Sequence, residues 1–131
     1  MSVTKLEKGW CKNAINLNEV KISPDNKVFK NYEGNEKLIV VKSDVNSDEY
    51  DILVFAYQNI EDVIIPPSIK QIASYAFSET QINNIFVPKK VTQICEGCFY
   101  NCFSLNSIEF ASDSELEVIE KYSFHFIPIE S

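Results

Sequence analysis

The sequence contains little histidine and little glycine, two residues on which many enzyme sites depend. Its 131 residues include one histidine and three glycines, and those glycines, Gly9, Gly34 and Gly97, stand far apart. A phosphate-binding loop requires clustered glycines, so the sequence excludes a nucleotide site of that type. The single histidine, His125, has no neighbour in sequence that would orient it as a general base for a thiol such as Cys98. We therefore expect that the protein is not an enzyme.

Positive charge and long apolar runs are also scarce. The chain has 12 lysines and arginines against 19 acidic residues, which leaves a net charge of -7. This balance opposes binding to nucleic acid or to an anionic membrane surface. No apolar run is long enough to span a bilayer, and Met1 is followed by polar residues instead of a signal peptide. We expect neither nucleic acid as a partner nor membrane insertion, and the compartment stays open.

The second half of the chain contains a repeat. The segments 60–66, 82–88 and 105–111 align with one another, and each is followed by a second apolar pair and then by a phenylalanine. Those phenylalanines, Phe77, Phe99 and Phe124, are 22 and 25 residues apart. A period of this length predicts a solenoid, in which each unit buries its apolar face only by stacking on its neighbours.

Alternation of apolar and polar residues within the aligned segments predicts short strands that pair in parallel. The phenylalanines are expected to form an internal aromatic ladder near a short helical turn. The residues expected to point into the solenoid are Ile60, Val63 and Ile65 with their counterparts Ile82, Ile85 and Val87, Leu105, Ile108 and Phe110, and Leu17, Val20 and Ile22.

The repeat divides a single domain, 1–131, into unequal parts. A shift of 88 residues aligns the N-terminal segment with the repeat, so residues 3–28 are expected to form a partial unit. Three repeats follow at 59–80, 81–102 and 103–126, and 127–131 resembles the start of another. Between the partial unit and the repeats lies a non-repeating island, 29–58. Its two β-rich runs, 37–41 and 51–55, predict a β-hairpin that either extends a sheet or projects as a recognition loop.

Two stretches resemble metal sites in their spacing. Cys95, Cys98 and Cys102 have a C-x-x-C-x-x-x-C pattern, but the fourth thiolate of a metal site would have to be the distant Cys11. Reduced thiols that pack as small hydrophobes are the preferred interpretation, with a disulfide as the alternative. Residues 44–51 begin like a calcium loop, yet Glu49 stands where a glycine is needed and Phe55 where a bidentate glutamate is needed. We expect structural thiols, a solvated acidic turn, and neither a metal nor a cofactor.

The stretches IEDVIIPPSIKQIASYAF and INNIFVPKKVTQICEGCF resemble the BspA-type (Treponema-type) leucine-rich repeat. The usual glycine of that pattern is replaced by Ala73, Cys95 and Glu120, which puts the local turn geometry in question. The resemblance implies a leucine-rich repeat solenoid with short parallel strands on its concave face, short helical turns and irregular returns. It also implies adhesion or protein binding without catalysis. The family is often associated with the cell surface, especially in bacteria, and is expanded in parasitic protists.

The outward positions of the expected strands form a row across consecutive units. In the three repeats these positions are Asp62 and Ile64, Asn84 and Phe86, and Ser107 and Glu109. We expect them to bind a protein, or alternatively a glycan, on the concave face. The competing interpretation is that the island covers them, or that they are only residues that favour exposed strands. A different function, assembly by self-association through uncapped solenoid ends, is the alternative.

Overall fold

The computed structural model describes residues 29–124. These residues form nine strands in two sheets and contain no helix. The strands are β1 Phe29–Tyr32, β2 Asn35–Val41, β3 Ile52–Ala56, β4 Asp62–Ile64, β5 Gln71–Ile72, β6 Asn84–Val87, β7 Gln93–Ile94, β8 Ser107–Phe110 and β9 Val118–Ile119.

Each repeat contributes one strand to each of the two sheets. The first strands form a three-stranded parallel sheet in the order β4-β6-β8, with Val63, Ile85 and Ile108 side by side. This register confirms the predicted parallel pairing. The second strands, β5, β7 and β9, lie at the second apolar pair of each unit, where no strand was predicted, and also pair in parallel. Together the described coils form a β-solenoid of successive stacked units.

The island adds antiparallel strands to the second sheet, whose order is β1-β2-β3-β5-β7-β9. Strands β2 and β3 form the predicted hairpin, with a bulge between Ile39 and Val40. Because β3 also pairs in parallel with β5, the hairpin extends the sheet of the solenoid. Strand β1, which was not predicted, turns back on β2 through a short turn at residues 33–34.

The core lies between the two sheets. The predicted inward residues of the first two repeats are buried: Ile60, Val63, Ile65, Ile82, Ile85 and Val87. Behind them, the ring of Phe99 stacks between those of Phe77 and Phe124, at 5.4 Å from each centroid. This stack confirms the predicted aromatic ladder.

The third repeat departs from the predicted burial. Leu105 is fully buried, but Ile108 is only half-buried and Phe110 is 40% exposed. The assignment of Phe110 to the interior was therefore wrong. Strand β8 is the last strand of its sheet in the described part of the chain, so no described coil covers the far side of Phe110.

The expected short helical turns are absent from residues 29–124. In the return after β5, the N–H groups alternate between two kinds of partner. Those of Ala76 and Ser78 bond within the coil, whereas that of Phe77 donates to the carbonyl of Cys98 in the next coil at 2.9 Å. Positive φ angles at Tyr75 and Glu79 also interrupt any right-handed helix. The chain therefore returns through successive turns bonded between coils.

Several expectations concern residues outside the described range. These are the partial unit 3–28 with Leu17, Val20 and Ile22, the position of His125, and the start of a further unit at 127–131. Within residues 29–124, no helix is long and apolar enough to cross a membrane.

We predict that Phe99→Ala destabilises the fold by about 3–5 kcal/mol, because it removes a fully buried ring that stacks on both sides. Urea unfolding followed by circular dichroism measures the change. The matched control is Phe103→Ala, since Phe103 is 67% exposed and its loss should cost about 0.5 kcal/mol or less. Equal losses in the two variants would contradict the stacked core.

Candidate functional site

The outward side chains of the three-stranded sheet form two rungs that cross successive coils. Asp62, Asn84 and Ser107 are aligned in one rung by the strand register. Ile64, Phe86 and Glu109 are aligned in the other. Because parallel strands hold equivalent residues side by side, the structure brings together all six residues that the sequence singled out.

The first rung is a chain of hydrogen bonds. The Ser107 hydroxyl donates to Asn84 Oδ1 at 2.7 Å, and the Asn84 amide donates to Asp62 Oδ1 at 3.3 Å. The chain of donors runs from Ser107 through Asn84 and ends at Asp62, whose ionised carboxylate can only accept. These contacts hold the three side chains in a common orientation along the sheet.

The second rung combines an apolar pair with a carboxylate. Ile64 is 77% exposed and Phe86 is 38% exposed, and the two are direct neighbours across β4 and β6. Glu109 lies beside Phe86 on β8 and is exposed. Among the described residues, the Glu109 carboxylate has no hydrogen bond or ion pair. The rung therefore offers apolar surface at one end and a negative charge at the other.

An open groove of about 680 Å³ runs over these rungs. Its lining includes all six predicted residues, the two prolines that follow β4, and Tyr32, Gly34 and Asn35 from the β1–β2 turn. The island thus forms one side of the groove and does not cover the row, as the exposure of Ile64 shows. The name "the groove" is used below for this surface.

Sequence reasoning missed the contribution of the β1–β2 turn. A side chain at Gly34 would place its Cβ only 2.6 Å from Cε2 of Tyr32, so glycine lets that ring lie against the turn. Tyr32 in turn packs on the main core. The adjacent Gly34 and Asn35 are a turn signal that could have indicated this second hairpin, but no local pattern places it beside β4.

The charges that line the groove are negative. Asp62 and Glu109 are its charged residues, and its described lining contains no lysine or arginine. The described lining also contains no histidine or cysteine, and its hydroxyl and carboxylate groups include those of Ser107, Asp62 and Glu109. The arrangement is suited to contact and recognition.

The cysteines lie in the core, away from the groove. Cys95, Cys98 and Cys102 are buried thiols. Cys102 Sγ donates to the Phe77 carbonyl at 2.8 Å, and burial raises the pKa of Cys102 from 9.0 to about 11. Burial, reinforced by the neighbouring thiols, also raises the pKa of Cys98 well above its usual value. Neutral, buried thiols are poor nucleophiles, which agrees with the predicted packing role.

In the acidic turn at 44–51, the carboxylates of Asp44 and Asp51 accept hydrogen bonds from nearby residues of the β2–β3 connection. The Asp51 carboxylate accepts hydrogen bonds from the Ser43 backbone N–H and hydroxyl. The Asn46 N–H donates to Asp44 Oδ1 at 2.9 Å. Across residues 29–124, no three histidine, cysteine, aspartate or glutamate side chains are placed to hold a metal ion.

Comparison with known proteins connects these features to a repeat family. The family model described as "BspA type Leucine rich repeat region" matches residues 51–131 in six copies. The match begins before the predicted first repeat and includes β3. Proteins with leucine-rich repeats generally bind protein partners and are typically not enzymes. No curated protein matches the chain.

One similar solved structure is the crystal structure of the pneumococcal vaccine antigen PcpA. It superimposes with a TM-score of 0.68 at 21% sequence identity over 82% of this chain. The chain spans 25% of the length of that one. At this level of identity the likeness concerns the fold.

We predict that stability falls as pH rises from 9 to 11, because the folded state holds the Cys102 proton up to a pKa of about 11 while the unfolded thiol loses it above 9.0. The stabilisation is complete below pH 9 and is lost through this window. Urea unfolding at successive pH values, under reducing conditions, measures the slope.

The control is Cys102→Ala, which removes one of the titrating thiols. Its slope should be shallower than that of the wild type by up to about 1.4 kcal/mol per pH unit. Parallel slopes for the two proteins between pH 9 and pH 11 would show that burial does not hold this proton.

Proposed function

The chain belongs to the BspA-type leucine-rich repeat family, and from this premise we propose that it is a non-enzymatic module that binds a protein partner through the groove. Such a module suits adhesion, since a stacked repeat presents a wide and rigid recognition surface. The concave-face residues of the proposal are Asp62, Ile64, Asn84, Phe86, Ser107 and Glu109.

One observation carries the proposal: an aliphatic side chain that is 77% exposed lies beside an aromatic ring in a groove whose lining also includes carboxylate, amide and hydroxyl groups. Exposed apolar surface rimmed by polar groups is typical of an interaction site. Burial of Ile64 and Phe86 by a partner would remove that surface from water, and a few well-buried residues commonly dominate binding energy. The polar rung beside them supplies hydrogen-bonding groups that set orientation.

A second candidate function is assembly by stacking of solenoid ends. It is favoured by the exposure of Phe110, Val118, Ile119 and Tyr122 on the last described coil. These residues lie on or beside β8 and β9, the outermost strands of the two described sheets, where another coil would pair. In this function the partner is a second copy of the chain or a further repeat.

We predict that the double substitution Ile64→Glu/Phe86→Glu abolishes partner binding while lowering the free energy of unfolding by only about 1–2 kcal/mol, the cost of like charges on neighbouring strands and of a partly buried ring. Both side chains point outward, so the charges disrupt contact without entering the core. Affinity capture from the lysate and surface fraction of the source organism, followed by mass spectrometry, compares the baits.

The control bait is Val45→Glu, which changes a 65% exposed apolar residue in the β2–β3 connection, away from the groove. A partner should be retained by the wild type and this control but not by the double variant. Recovery of the same proteins by a folded double variant would move the site elsewhere, and capture of glycans alone would replace the protein partner.

The stacking candidate predicts self-association that depends on concentration and weakens in Val118→Glu/Ile119→Glu. Sedimentation velocity over a wide concentration range measures it. The Ile64→Glu/Phe86→Glu variant should associate like the wild type, because its changes lie on the outward face of the other sheet. A wild-type protein that stays monomeric throughout would rule this candidate out.

A further inference from the structure

Resting on the proposed function, we infer that the groove takes an extended peptide segment of the partner, with a large apolar side chain followed two positions later by a basic one. The apolar side chain contacts Ile64 and Phe86, and the basic one pairs with Glu109. The inference follows from the spacing, charge and exposure of the second rung.

The spacing of the rung matches that of an extended chain. Neighbouring strands lie about 4.8 Å apart, so the point midway between Ile64 and Phe86 lies about 7 Å from Glu109 along the rung. Side chains at positions i and i+2 of an extended peptide point the same way and are also about 7 Å apart. A peptide that crosses the strands therefore presents one residue to the apolar pair and the next but one to the carboxylate.

The charge of the groove selects a basic side chain. Its charged lining residues, Asp62 and Glu109, are both acidic. Asp62 already accepts a hydrogen bond from Asn84, whereas Glu109 has no partner within the described residues. A lysine or arginine at this point gains an ion pair, and an acidic residue is repelled there.

Phe86 strengthens the preference for a cation. It lies beside Glu109 in the register, so a cation paired with that carboxylate is within reach of the ring. A guanidinium or ammonium group gains from an aromatic face and from a carboxylate at once, and arginine gains most because it is planar and weakly hydrated. An arginine is thus expected more often than a lysine.

The first rung offers a hydrogen-bond acceptor to the backbone of such a peptide. Ser107 donates to Asn84 and Asn84 donates to Oδ1 of Asp62, which leaves the second Asp62 oxygen to accept from a peptide N–H. This rung is indifferent to the side chains of the peptide. Sequence preference therefore comes from Ile64, Phe86 and Glu109.

The test is selection of a displayed random peptide library on four immobilised baits. They are the wild type, Glu109→Lys, Ile64→Glu/Phe86→Glu, and the control Glu115→Lys, which carries the same charge reversal at an exposed site outside the groove. We expect wild type and control to enrich an apolar residue followed two positions later by arginine or lysine. Glu109→Lys should enrich aspartate or glutamate at that second position, and the double variant should enrich neither motif.

A synthetic copy of an enriched peptide then quantifies the contact by isothermal titration calorimetry. Glu109→Gln should weaken its binding by about fivefold, the effect of one exposed ion pair. The loss should diminish at high salt, since screening removes an exposed ion pair but not an apolar contact.

Groove-dependent peptides without a basic residue, or with the same motif on Glu109→Lys, would overturn this inference while the proposed function stands. Peptides that bind the double variant as well as the wild type would overturn both. A library that yields no peptide dependent on Ile64 and Phe86 would also overturn the inference, because the groove would then not recognise an extended segment.

Discussion

Lateral bonding between successive coils is the constraint on which the rest of the structure depends. Phe77 and Phe99 illustrate it, because each backbone N–H donates to the next coil, at 2.9 Å to Cys98 and at 2.8 Å to Ser123, while their rings stack in the same direction. The backbone hydrogen bonds and the stacked rings therefore repeat with the same shift from one coil to the next along the solenoid. The same shift aligns outward residues into rungs, so the surface of the groove depends on stacking in the core.

The antiparallel island changes what the repeat presents. Its strand β3 joins the sheet of the solenoid, and its β1–β2 turn carries Tyr32 to the rim of the other sheet, where it forms one side of the groove. Without this turn, the row would lack Tyr32, Gly34 and Asn35 at its side. With the turn beside it, the row lies in a groove that contains an apolar pair and two carboxylates.

The inward and outward residues of the first two repeats were predictable because strand alternation and a fixed period specify both directions. Ile64 and Phe86 follow from that pattern alone. Phe110 has the same pattern but is 40% exposed, since burial in a solenoid requires a covering coil. The prediction of helical turns was wrong. In their place the chain has hydrogen bonds between coils and positive φ angles at Tyr75 and Glu79. Neighbouring coils set these features, so a local sequence pattern does not reveal them.

The sequence by itself determined the solenoid, the parallel register and the six side chains of the row, because all of these repeat with the period of the chain. The sequence also determined the net negative charge, to which Asp62 and Glu109 of the groove contribute. Only the tertiary structure decided that the turn around Gly34 lies beside β4 and that β3 continues the second sheet. Those are contacts between the non-repeating island and the repeats. No periodicity encodes such contacts, and they arise only when the whole chain packs.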